Sequence, residues 1–223
     1  MKNIKFHRNS QKRFYGDDKI YFITTITRER FPFFKENLFC ELFMENLRIC
    51  KKLKKFKLYA FTIIPNHVHL LLKPENDFNI SKVMQSLKKS FSRDFNNFIY
   101  FANNKNIPSN NYIEGEIHES RLQYNCCWES RLQGKQYSFR QNKIFAIPKY
   151  EKYIKQINKF KNMPKFKWQQ SFHDHVIRNE KDFLKHLNYI ALNCVKHKLC
   201  EDETKYKWSS LNFEFGDFVD DWQ

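Results

Sequence analysis

The chain has 223 residues, 41% hydrophobic and 17% aromatic, enough for one domain with a real core. A formal net charge of +16, spread along the whole chain, points to a polyanionic partner, and nucleic acid first. The basic start lacks the apolar core of a secretory signal, and no run is long enough to span a bilayer. The cysteines (Cys40, Cys50, Cys126, Cys127, Cys194, Cys200) show no paired CxxC spacing, which argues against a disulfide frame or zinc ribbon. An intracellular, reduced protein with no membrane partner is expected.

Taken in chain order, "IYFITTIT" (20–27) is rich in β-branched and aromatic residues and follows the turn signal Gly16-Asp17-Asp18, which predicts a strand. Residues 36–53 repeat apolar side chains at Leu38, Leu42, Phe43, Leu47 and Cys50, the spacing of a helix. "FKLYAFTII" (56–64) and "HVHLLLK" (67–73) predict two strands joined by a tight turn at Pro65-Asn66. Residues 79–98 place Ile80, Val83, Met84, Leu87, Phe91 and Phe95 on one helical stripe. Their opposite face carries Lys82, Lys89, Arg93 and Asn96, a basic surface suited either to water or to phosphates.

From residue 100 to 165 periodicity fades, and Asn, Lys, Ser and Gln dominate. "ESRLQ" occurs at 119–123 and again at 129–133, so 103–147 reads as an irregular insertion containing a small duplication. A short helix is predicted within 149–161 and a strand near 171–178. Residues 180–200 then form a helix with Phe183, Leu187, Ile190 and Cys194 on one face. Asp182, His186, Tyr189, Asn193 and Lys196 fall on the other, with Tyr189 and Asn193 one turn apart.

The segment "IIPNHVHLLLKP" (63–74) sets His67 and His69 on one side of a strand, opposite Val68, Leu70 and Leu72. Residues i and i+2 of a strand point the same way, roughly 6.5 Å apart. Two imidazoles so placed can converge on one divalent ion, given a third ligand and an open position for substrate. The later helix offers an amide and a phenol at i and i+4.

"PNHVHLLL", "WQQSFHDHVIRNEKDF", "YIALNCVKHKL" and "YKWSS", in that order, resemble the REP-associated tyrosine transposases, single-tyrosine HUH-type relatives of the IS200-like transposases. The resemblance covers roughly residues 14–98 and 165–212 of a single transposase domain. It implies an α+β, ferredoxin-like fold: an antiparallel sheet with helices on one face and the histidine pair on a central strand. It implies Tyr189 as nucleophile and His67, His69 and Asn193 as ligands of Mg²⁺ or Mn²⁺. Lys82, Lys88, Lys89, Arg93 and Arg178 are expected to hold DNA. His175, from the second His-x-His at 173–175, is expected beside the site or in a structural role. Where the family has proline after the motif Asn, this chain has Cys194, a change at the helix end rather than in the chemistry.

The implied reaction is cleavage of single-stranded DNA through a 5′-phosphotyrosine, with the bond energy kept for rejoining. The implied substrate is single-stranded or hairpin DNA, handled by a cytoplasmic, nucleoid-associated monomer or homodimer. A replication initiator or relaxase would use the same histidine and tyrosine chemistry. A relic that binds hairpin DNA without cutting it is the alternative of a different class. A phosphoesterase built on paired HxT motifs is excluded, because no such pair exists.

Overall fold

The structure is a computed structural model that describes residues 18–75, 78–104 and 157–222. All but the first two residues of the predicted insertion at 103–147, and most of the helix expected at 149–161, lie outside the described residues. The chain divides into two compact units, Met1–Asn96 with Pro164–Gln223, and Asn97–Met163. In the second unit a short 3-10 turn, Ile157–Phe160, brings Phe160 within 5.5 Å of Phe98, ring to ring.

The first unit is built on four antiparallel strands: β1 (Tyr21–Ile26), β2 (Phe56–Ile64), β3 (His67–Pro74) and β4 (His173–Val176), in the order β2-β3-β1-β4. Among the described residues three α-helices accompany them: α1 (Asn37–Lys54), α2 (Ile80–Asn104) and α3 (Glu180–Lys196). This is the ferredoxin-like strand order, in which each α-helical crossover returns the chain to the neighbourhood of the strand it left. It matches the fold class implied by the sequence.

Side-chain alternation gives the sheet two faces. Tyr21, Ile23, Val68, Leu70, Leu72, Phe61 and Ile63 are all buried, on the face that the apolar stripes of α1 and α2 cover. The packing there is aromatic: Phe91 of α2 lies within 4.8 Å of Phe166 and 5.4 Å of Phe34, centroid to centroid. Trp168 closes the cluster, 4.9 Å from Phe166, and its indole N–H donates to the Lys88 carbonyl.

The other face carries His67, His69, Phe22, Thr24 and Leu71, and here α3 packs. Phe183 and Ile190 of α3 meet Tyr59, Ala60 and Leu71 in a second apolar cluster. A bulge between Leu58 and Ala60 breaks the β2 register and turns Tyr59 against Phe183, 5.5 Å away. The two helices expected on one face are thus joined by a third on the other, and it is the third that faces the histidines.

The edge of β2 is not left open. Asp220 N–H donates to the Leu58 carbonyl, Ser210 N–H to Phe61, and Ile63 N–H to Trp208, so the C-terminal segment covers the strand's free groups. Trp222 at the end of this segment stacks on Phe183 at 4.4 Å.

The helix predicted to residue 200 ends at Lys196 as α3. Lys198 takes a left-handed backbone (φ 55°), while Lys198 N–H donates to Val195 and Leu199 N–H to Cys194. This is a Schellman stop with lysine where glycine is favoured. Lys198→Gly is therefore expected to raise stability by about 1 kcal/mol in urea unfolding. A loss of stability would show that the lysine side chain compensates for the strain.

Candidate active site

The sheet register assembles the site. His69 stands opposite Thr24 on β1 and Thr62 on β2, and His67 stands opposite Ile26 and Ile64 at the end of the hairpin. The two imidazoles are 4.8 Å apart, centroid to centroid, and both are buried. Each is fixed through Nδ1. His67 Nδ1–H donates to Asn66 Oδ1 at 2.6 Å, and His69 Nδ1 is hydrogen-bonded to the Thr24 hydroxyl at 2.8 Å. An amide oxygen can only accept, so the His67 proton sits on Nδ1 and the lone pair on Nε2. Outer bonds of this kind orient a metal-ligating histidine.

Burial, with the nearby His197 and Arg30 charges, pushes the His67 pKa down to about 4, while the neighbouring Asn193 amide acts the other way. Burial again, then His67, His197 and Lys196, pushes His69 down to about 3. Both rings are neutral at pH 7, the state that can ligate a cation.

α3 lays its polar line over this pair. Asn193 is 1% exposed, and neither atom of its amide makes a hydrogen bond. His69 Nε2 is also buried and without a partner. Buried polar atoms are almost always paired, and an orphan costs about 1–3 kcal/mol. One imidazole nitrogen and an amide oxygen left unsatisfied by protein, with the His67 ring 4.8 Å from that of His69, are a donor set that fits a divalent cation. Tyr189, one turn earlier, is 40% exposed, and its ring lies 5.2 Å from His69 and 5.6 Å from Phe22. Lys196 Nζ sits 5.4 Å from the centre of the same ring. The phenol thus borders both the histidine pocket and solvent.

Residues 17–121 match the family model described as "Transposase IS200 like". The chain is also 24% identical over 209 residues to a Haemophilus influenzae protein named as a REP-associated tyrosine transposase, covering 92% of this chain and 86% of that one. Over residues 17–121 the chain is similar to the IS200-like transposases. A solved REP-associated tyrosine transposase bound to a REP hairpin shares the fold, with a TM-score of 0.56 at 18% identity over 96% of this chain and 91% of that one. The family match includes His67 and His69, while Tyr189 and Asn193 lie beyond it and rest on the geometry above.

The other expected residues lie as follows. Lys82, Lys88 and Lys89 line a groove of about 580 Å³ with Gln85, Ser92, Trp168 and Phe172. It belongs to the α1–α2 side of the sheet, away from the histidines. Lys88 is committed there: its ammonium donates to the carbonyls of Gln169, at 3.1 Å, and Ser171. Arg93 pairs with its neighbour Asp94 at 2.9 Å. Arg178 is exposed just before α3, and its backbone N–H donates to Asp182. His175 is on the histidine face of the sheet, opposite Phe22.

Sequence reasoning did not place Thr24, Phe22 or His197 beside the histidine pair, and it read Asn66 only as part of a turn. Asn66 adjoins the motif and could have been found from it. Thr24 and Phe22 reach the site only through strand register, and the His197 ring, 5.1 Å from His67, only through the way α3 ends.

A pH dependence follows. Both histidines have folded pKa values below their unfolded value near ~6.5. Their burial costs nothing above that pH. As pH falls below it the unfolded chain takes up protons that the folded chain refuses. Metal-free protein is thus expected to lose about 1.4 kcal/mol per ring for each pH unit below about 6.5, down to the folded values. Urea midpoints from pH 7 to 5 test this, with His69→Phe flattening the slope; equal slopes in the two proteins would contradict it.

Proposed function

We propose that this chain is a metal-dependent single-stranded DNA endonuclease and strand transferase that uses Tyr189 as its nucleophile. The observation that carries the reading is the phenol of Tyr189 against a buried pocket whose His69 nitrogen and Asn193 amide have no protein partner. His67, His69 and Asn193 would hold Mg²⁺ or Mn²⁺, which when bound would polarise the scissile phosphate and offset its developing charge.

The remaining work belongs to the chain. Tyr189 Oη attacks phosphorus, the bond from phosphorus to the 3′ oxygen breaks, and the 5′ phosphate stays on the tyrosine. The phenol gives up its proton and the departing 3′ oxygen gains one, so the step is balanced. Lys196 holds its ammonium over the phenol ring, 5.4 Å from its centre, beside the attacking group. Another 3′-hydroxyl can attack the phosphotyrosine and reverse the step, joining strands without ATP. The exposure of Tyr189 lets an unpaired strand reach it, whereas a buried phenol could not be reached. The related structure's REP hairpin supports a folded single strand as substrate, with Lys82 and Lys89 available for backbone phosphates.

The test is incubation with labelled hairpin DNA from the flanks of the gene, with Mn²⁺ or EDTA, on a denaturing gel. A protein–DNA adduct that requires the metal is expected. Tight hairpin binding with no cleavage would overturn the reading in favour of a non-catalytic hairpin binder.

A further inference from the structure

β4 and α3 bring together a second set of ligating side chains, separate from the His67–His69 pair. His175 pairs in register with Phe22 and therefore points to the face that α3 covers. Asp182 and His186 are one helical turn apart on α3. Asp182 Oδ2 is bonded to His175 Nε2 at 2.8 Å, and His186 Nδ1–H, which donates to the Asp182 backbone carbonyl at 2.8 Å, lies 3.2 Å from Asp182 Oδ1. The two imidazoles stack at 4.6 Å with 22° between their planes. One ligand atom from each of the three residues lies within 4.8 Å of the others, the one such group of His, Cys, Asp or Glu among the described residues.

An ordinary His–Asp ion pair needs one imidazole. Here two flank the same carboxylate. Burial alone would raise the Asp182 pKa. The His175 bond, the Arg178 N–H and the charges of the two histidines outweigh it, and the carboxyl stays below its usual range. Two imidazoles, which ligate in their neutral form, and one carboxylate make a donor set suited to a divalent transition ion with its remaining positions open to water. All three residues are half-buried, so an ion can enter.

We propose that His175, Asp182 and His186 form a second divalent metal site, of the two-histidine, one-carboxylate type, that ties β4 to the first half of α3. It is joined to the tyrosine site through one ring. His186 packs 4.7 Å from Phe22, and Phe22 in turn lies 5.3 Å from His69 and 5.6 Å from Tyr189. An ion held there fixes the wall against which the tyrosine rests.

Co²⁺ titration of the full chain, followed by its visible absorption and by metal analysis after gel filtration, tests the site. The wild type is expected to take two equivalents, and His175→Gln and His186→Gln one each, with the lost site weakened by about 100-fold or more. The His67→Ala/His69→Ala protein is expected to keep one. Equal stoichiometry in wild type and His175→Gln overturns the proposal, and that comparison stands even if the double alanine protein fails to fold. A single equivalent lost in the double alanine protein but kept in His175→Gln also overturns it.

Discussion

Tyr189→Phe is expected to lower DNA cleavage and adduct formation by on the order of 10⁴-fold or more, and to leave the fold and hairpin affinity in place. The substitution removes one oxygen. The ring contacts of Tyr189 are edge-on with Phe22 and His69, and Lys196 lies near its ring, all of which a phenylalanine retains. With the side chain 40% exposed, the loss of its hydroxyl is expected to change stability by no more than about 0.5 kcal/mol. Cleavage on a denaturing gel, paired with a thermal melt and a hairpin titration, separates the two effects. Retained cleavage in a folded Tyr189→Phe protein would remove the phenol from the chemistry and leave the histidine pocket to activate water instead.

Asn193→Leu is expected to move stability and function in opposite directions. The amide is almost fully buried and neither of its polar atoms is hydrogen-bonded. A leucine, with the same number and branching of side-chain heavy atoms, removes two unsatisfied groups and adds apolar contact beside Ile190 and Cys194, which are also buried. The metal-free variant should therefore gain about 1–2 kcal/mol, seen as a rise of roughly 2–8 °C in Tm. The same variant should bind Mn²⁺ more weakly and cleave DNA far more slowly, since its third ligand is gone. Melting curves with EDTA and with Mn²⁺ read both effects: the wild type gains from the ion and the variant does not. A metal-free Asn193→Leu protein less stable than wild type would mean that the amide already serves the fold through its neighbour His67.

Much of this was legible in the residues, for local reasons. The 3.6-residue stripes of α1 and α2 and the β-branched runs of β1 and β2 each specify an element without reference to the rest of the chain. His67 and His69 share a face because strand period is two, whatever surrounds the strand. What the residues could not supply is register. Thr24 becomes the partner of His69 because β1 pairs with β3 at Thr24↔His69, and no short-range signal sets that pairing. The polar line of α3 illustrates the same limit: by periodicity it is a polar face, and in the fold it lies over the sheet, where Asn193 is buried and Tyr189 reaches the rim. β4 is shorter than expected, four residues from His173 to Val176. Its pairing to β1 runs only from Thr24↔His173 to Tyr21↔Val176, and the chain leaves the sheet before Asn179 caps α3.

Mass spectrometry of the trypsin-digested reaction with hairpin DNA and Mn²⁺ tests the central claim most directly. The account predicts that the peptide covering residues 186–196 carries a nucleotide through a phosphate on Tyr189, and that the modification disappears with EDTA. A covalent nucleotide on any other residue, or cleaved DNA with a free 5′ phosphate and no modified peptide, would contradict it.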